Sequence, residues 1–347
     1  MKKITIKNYA LALISMLSVS TISAQETTPT STLFAGSVDM YYKYDFSGFD
    51  NSKTSFTKSH DSFELGMASV EASHKYGKAA VFVDLGFGNR AKEFSYNDPT
   101  STFMVKQLFV TYDFSPNFKV TAGSFGTHIG YELLDAVDNK NYSMSYAFTN
   151  GPFFNTGVKA QYTKGKFSFM AGITNPTDFK SATASGSHQK TIIGQIAYTV
   201  DSGSAYFNFT SGSSNPVSPS NKTQLDFVGT KKISDKFSLG VNGTFAMIKD
   251  DVTSDNDTSW FSVVGYASYS VKKNWSLAYR AEYFDDKENY LGVGASVVAN
   301  TLSLNYKEGN FTFIPEFRFE SASKNIFSDG LPTKTCAFAL LATTYSF

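Results

Sequence analysis

The chain has 347 residues, with 31 Lys and Arg against 30 Asp and Glu, 41% hydrophobic residues and 16% aromatics, dominated by 33 Phe and 20 Tyr. A formal charge of +1 excludes the basic field of a nucleic-acid binder, and charged residues at 18% fall below the roughly 25% of soluble domains. The single cysteine, Cys336, excludes an internal disulfide and reads as a small strand residue.

The first 24 residues read as a secretory leader. Lys2, Lys3 and Lys7 precede the apolar run YALALISML, and small residues follow up to Ala24. Removing the leader leaves 28 basic residues against 30 acidic ones. The apolar run is shorter than the roughly 20 residues of a membrane-spanning helix, and no later run approaches that length, so any bilayer crossing falls to strands.

From Thr32 onward residues alternate with period two. GSVDMYYKYDF sets Val38, Met40, Tyr42, Tyr44 and Phe46 against Ser37, Asp39, Lys43 and Asp45, with Tyr41 out of phase. MVKQLFVTYDF sets Met104, Leu108, Val110, Tyr112 and Phe114 against Gln107, Thr111 and Asp113, and here Lys106 breaks the apolar face. FSLGVNGTFAM and WSLAYRAEYF repeat the pattern, the latter with Trp275, Leu277, Tyr279 and Tyr283 on one face and Arg280 and Glu282 on the other.

The connections alternate too. Tight turns rich in Gly, Asn, Asp and Lys lie near residues 77, 116, 165, 202, 235, 273 and 309. Longer segments cover about 47–60, 90–101, 127–152, 175–188, 212–222, 249–257, 285–293 and 322–333. Short turns at one end, long loops at the other and apolar/polar alternation are the features of an outer-membrane barrel. A soluble sandwich shows no such fixed order. The expected fold is all-β, a transmembrane antiparallel up-and-down β-barrel of about sixteen strands spanning residues 25–347 as one domain.

Mid-strand charge fixes which face meets water. Placing Arg280 in lipid near the midplane would cost roughly 2–4 kcal/mol, so Arg280 and Glu282, and Glu316 and Arg318 of FIPEFRFE, are expected inside. On this reading, reversing Arg280 or Arg318 alters ion preference and leaves assembly intact. Trp275 follows a short turn and Tyr283 precedes a long loop, which puts the two rings at opposite interfaces. Pro315 removes a ladder donor in mid-strand and predicts a bulge. The final run CAFALLATTYSF ends on Phe347 with Tyr345 on the same face.

These segments carry a resemblance. GSVDMYYKYDF, KQLFVTYDF, PEFRFE, the terminal YSF and, above all, Val120 to Tyr162 resemble the OmpL-like β-barrel porins of Gram-negative envelopes. The closing YSF resembles the C-terminal signal read by the outer-membrane assembly machinery. The resemblance implies an outer-membrane diffusion pore for small hydrophilic solutes or ions, contacting membrane lipid, with a homotrimer common among such pores. No cofactor and no nucleic-acid partner is implied.

The long connection at 127–152 exceeds the usual loop length and mixes Ile129, Leu133, Leu134 and Val137 with Glu132, Asp135, Asp138 and Lys140. It is expected to fold into the lumen, its acids facing Lys159, Arg280 and Arg318, so that a transverse field sorts solutes. Glu282 and Glu316 complete the expected lining.

No catalytic or metal constellation competes. His60, His74, His128 and His188 lack partners at metal-ligand spacing, and neither GxSxG nor HExxH occurs. The acidic run 250–259 lacks the Gly and terminal Glu of a twelve-residue calcium loop and reads as a solvated loop. Two rival readings use the same residues: a barrel acting as adhesin or receptor through its external loops, and a secreted all-β binding module.

Overall fold

The structure is a computed structural model describing residues 30–98, 101–182, 189–213, 221–249 and 257–347. The leader, His188 and residues 250–256 of the acidic run lie outside the described residues.

Fifteen strands follow in chain order: β1 (Thr30–Asp45), β2 (Ser62–Tyr76), β3 (Ala79–Phe87), β4 (Val105–Ser115), β5 (Phe118–Gly126), β6 (Phe154–Lys164), β7 (Phe167–Thr174), β8 (Thr191–Val200), β9 (Gly203–Ser213), β10 (Asn221–Lys232), β11 (Phe237–Lys249), β12 (Thr258–Lys272), β13 (Trp275–Asp285), β14 (Ser296–Glu308) and β15 (Phe311–Ala322). A small hairpin of β16 (Phe327–Ser328) and β17 (Pro332–Thr333) interrupts the last long connection before β18 (Thr335–Ser346). Sixteen of these strands form a closed barrel in which sequence neighbours pair antiparallel and β18 returns to β1. At that seam Val38 faces Tyr345, and the terminal Phe347 exchanges backbone bonds with Gly36 at 2.9 and 3.0 Å. Closure satisfies every strand edge, which is what allows strands to cross a bilayer. Two short helices, α1 (Asn89–Phe94) and α2 (Tyr146–Asn150), lie in the long connections.

The alternation has a physical direction. On β13 the lipid-side Tyr279 is 43% exposed while Arg280 beside it is 0% exposed. Val38, Met40, Phe207, Leu225 and Phe317 are likewise exposed. Apolar side chains outside and ionic ones inside invert the order of a soluble protein. Turns of two residues join most strands at the short end, as at Gly165 and Gly309, whose φ of 60° and 58° suit the left-handed conformation such turns demand.

Three irregularities have local causes. Asp84 pairs with Gln107 and Leu85 with Val105, so Lys106 is the extra residue of a β-bulge. The bulge turns Lys106 inward, which resolves its misfit with the apolar face. Tyr41 points inward too, where its ring meets Tyr142 at 5.4 Å. At Pro315 no bulge forms, contrary to the sequence expectation. Ser303↔Glu316 and Tyr306↔Phe313 keep one register, while the two rungs between them are missing on the β14 side and Pro315 stays opposite Leu341 of β18. The missing donor interrupts one ladder without adding a residue.

Candidate functional site: the lumen and its folded connection

The connection from β5 to β6 runs against the inner wall. It leaves β5 toward the far strands: His128 Nε2 lies 3.0 Å from the Phe209 carbonyl, and the Gly130 N–H donates to Asp226 at 3.0 Å. Asp226 is held in turn by Asn208 at 2.8 Å and Asn242 at 2.6 Å. Tyr131 stacks on Tyr266 of β12 with centroids 4.0 Å apart. It lies on Gly240 of β11, where a Cβ would come within 2.6 Å of the ring. A glycine is therefore what admits the ring at this point.

The segment then turns on a clamp in which Asn139 accepts from Leu133 N at 3.0 Å and donates to Leu133 O at 2.6 Å. Asp135 meets the Lys106 ammonium at 2.8 Å, and Lys106 also pairs with Asp84 at 2.9 Å. Glu71, Asp84 and Asp135 each bring one oxygen within 4.8 Å of the others. Lys106 already lies on two of them, and its ammonium supplies positive charge where a cation would sit. From the β3–β4 connection, Arg90 donates to Leu134 O at 3.1 Å.

Residues 140–146 return along β13–β15. Asn305 donates to Lys140 O at 3.0 Å, and Asn141 to Ser303 at 2.7 Å. Glu316 accepts from Tyr142 N at 2.7 Å and Ser143 N at 3.0 Å. Glu132 accepts from Ser145 N at 2.8 Å, and Glu282 accepts from Tyr146 N at 2.8 Å. Arg280 donates to Ser143 O at 2.5 Å and to Glu132 at 2.6 Å, and Arg318 donates to Met144 O at 3.1 Å. Arg318 Nη2 lies 2.9 Å from Glu282, and Arg318 also donates through Nε to Glu320. Tyr146 reaches Glu320 at 2.7 Å, and Tyr142 donates to Asp39 of β1. Irregular backbone at membrane depth is stable only where its polar groups find partners, and these side chains supply them. Farther out, Phe56, Phe94, Met144, Phe148 and Phe153 from three long connections pack together with Phe154 at the start of β6, and Asp178 of the β7–β8 connection accepts from Phe153 N at 2.6 Å.

The residues singled out from sequence therefore fall into two groups. Glu132, Arg280, Glu282, Glu316 and Arg318 come together, buried between connection and wall. Asp135, Asp138, Lys140 and Lys159 keep contact with solvent. Lys159 does not meet the acids of the connection; its ammonium sits 4.1 Å over the Phe125 ring. Burial and the charge of Asp135 push the Asp138 carboxyl up to about 6. Burial lowers His128 to about 4. His60 accepts from Asp45 N at 3.2 Å, and His74 sits 2.7 Å from the Thr32 hydroxyl.

Sequence reasoning missed Asp39, Glu71, Asp84, Lys106 and Asp226, all inward-facing. For Asp39, Glu71, Asp84 and Asp226 the signal was a single charge on the polar phase of a strand, and for Lys106 it was a charge on the apolar phase, which only the bulge turns inward. A second signal was apolar residues on that same phase: Phe338, Leu340 and Ala342 of β18 face inward and, with Tyr41 and Ile314, pack against Ala136 and Tyr142 of the connection.

A closed sixteen-strand barrel with an apolar exterior and a connection folded along its inner wall defines the class: a porin of the outer membrane. The chain belongs to the family described as "Putative beta-barrel porin-2, OmpL-like", which matches residues 31–347. Among solved structures it is similar to an anion-selective porin from Comamonas acidovorans, with a TM-score of 0.64 and 13% identity over 92% of this chain and 100% of that one. It is similar to OprB of Pseudomonas putida, with 0.61 and 10% over 91% and 94%, and to OmpT of Vibrio cholerae in a trimer form, with 0.60 and 14% over 92% and 99%. At such identities these likenesses show the fold. No curated protein matches the chain.

Proposed function

We propose that the porin passes small hydrophilic solutes and ions passively through a bore narrowed by the 127–152 connection and sorted by the charges that remain in contact with water. The observation that carries this reading is the location of Asp138 and Lys140 on the connection and Lys159 on β6, Lys140 exposed and the other two half-buried. A few fixed charges at a constriction set ion preference because water-depleted surroundings strengthen their field. The Comamonas relative is described as anion-selective, which supports charge sorting as the principle without fixing its sign here. Export by the leader ending at Ala24, insertion through the strand ending at Phe347 and assembly as a homotrimer complete the proposal. The trimer form of the Vibrio relative supports the last of these.

Single-channel recording in planar bilayers under a salt gradient tests the reading. Lys159→Glu is expected to move the reversal potential toward cation preference with the barrel still heat-modifiable on gels. A purified, folded barrel that passes no current overturns the proposal in favour of a surface receptor working through its external loops.

A further inference from the structure

The charges most conspicuous in the sequence are the ones that solutes do not reach. Arg280 and Arg318 are 0% exposed, and Glu132, Glu282 and Glu316 are buried with them. Across residues 142–146 these five side chains take up the N–H groups of Tyr142, Ser143, Ser145 and Tyr146 and the carbonyls of Ser143 and Met144. The partners come from β13 and β15, the two strands that flank β14, and from the connection itself. The acids outnumber the arginines, and main-chain N–H groups directed at them offset the excess. Arg280 Nε and Arg318 Nη2 reach Glu282 Oε1 only as ion pairs, at 3.4 and 2.9 Å, so displacing the connection strands several buried charges at once.

We infer that Arg280, Glu282, Glu316 and Arg318 are positioning residues that fasten the 127–152 connection to the β13–β15 wall and thereby fix the bore. This rests on the porin reading above and adds how the constriction is held. The fastening acts through backbone groups, so it is insensitive to the side chains that face the passing solute. Ion preference can then change at Asp138, Lys140 or Lys159 without moving the constriction, while a change at Arg280 moves the constriction itself.

Two readouts test this in the full-length barrel carrying Cys336→Ser. With Asn141→Cys added, the thiol replaces a buried side chain that contacts Ser303 at 2.7 Å. It is expected to react slowly with a water-soluble maleimide, and at least about tenfold faster once Arg280→Met releases the connection. In bilayers Arg280→Met is expected to raise conductance about twofold or more with added flicker. The pair Asn141→Cys and Ser303→Cys, oxidised in that background, should restore the parental current, and reduction should reverse the rescue. Unchanged maleimide rates and unchanged current in a heat-modifiable Arg280→Met barrel overturn the inference. A parental barrel that carries no current overturns the porin reading alone, because the labelling rates still decide whether Arg280 fastens the connection.

Discussion

Two patches of the inner wall carry similar charges and do different work. On β13–β15, Arg280, Glu282, Glu316 and Arg318 are sealed beneath the folded connection, their partners being its backbone. On the connection's tip and on β6, Asp138, Lys140 and Lys159 keep water on one side. Charge in the first patch is structural, because a buried ion that loses its partner has no solvent to fall back on. In the second patch charge is available to solutes, and its loss is softened by water. An inward charge thus acquires its role from what covers it.

The sharpest way to break this contrast is to remove a sealed charge. Arg318→Leu leaves Glu320 buried without its guanidinium and Glu282 with Arg280 alone, at 3.4 Å. The loss is expected to cost about 3–5 kcal/mol, visible as a lower temperature for conversion of the folded gel band to the unfolded one. The sequence reading expected a change of Arg280 or Arg318 to alter selectivity with assembly intact. Burial instead predicts a stability loss first, and an Arg318→Leu barrel as heat-resistant as the parent would erase the distinction between the patches. A smaller effect is expected at Gly240. Gly240→Ala puts a methyl within 2.6 Å of the Tyr131 ring, and overpacking of that kind costs about 1–3 kcal/mol. Gly243→Ala on the same strand serves as control, since nothing lies within 4 Å of its added carbon. Equal melting of the two variants would show that Tyr131 does not dock the connection to β11.

The barrel was legible in the sequence because its rule is local. Lipid outside and water or protein inside impose period two on every strand, and the order of short and long connections follows from antiparallel closure. The departures were those where a backbone event intervened: the bulge that turns Lys106 inward, and the skipped rungs at Pro315. Inward placement of Arg280 and Arg318 followed from the cost of charge in lipid, but their burial did not. Alternation says that a residue faces the interior; it does not say what else occupies the interior. The apolar inward residues Phe338, Leu340 and Ala342 held that information, since an interior face that is itself greasy needs a covering segment. Tyr41, out of phase in the sequence, was part of the same footprint.

The finest test of the solvent-touching patch is titration. Asp138 is held near 6, above its ordinary 3.8, by burial first and the charge of Asp135 second. Its neutral form is therefore favoured in the folded connection. Any stability it contributes is full below its ordinary value and fades as pH rises through about 6. Between pH 7 and pH 5 the carboxylate becomes neutral, one negative charge leaves the bore, and the reversal potential should move toward anions. Asp178 is raised to about 6 as well, but it is buried against Phe153 and Phe154 in the outer cluster, where its charge is directed at backbone N–H groups. Asp138→Asn separates the two: it should show the low-pH selectivity at pH 7 and lose the step between pH 7 and pH 5. If the step persists undiminished in Asp138→Asn, Asp138 does not face the conducted ions.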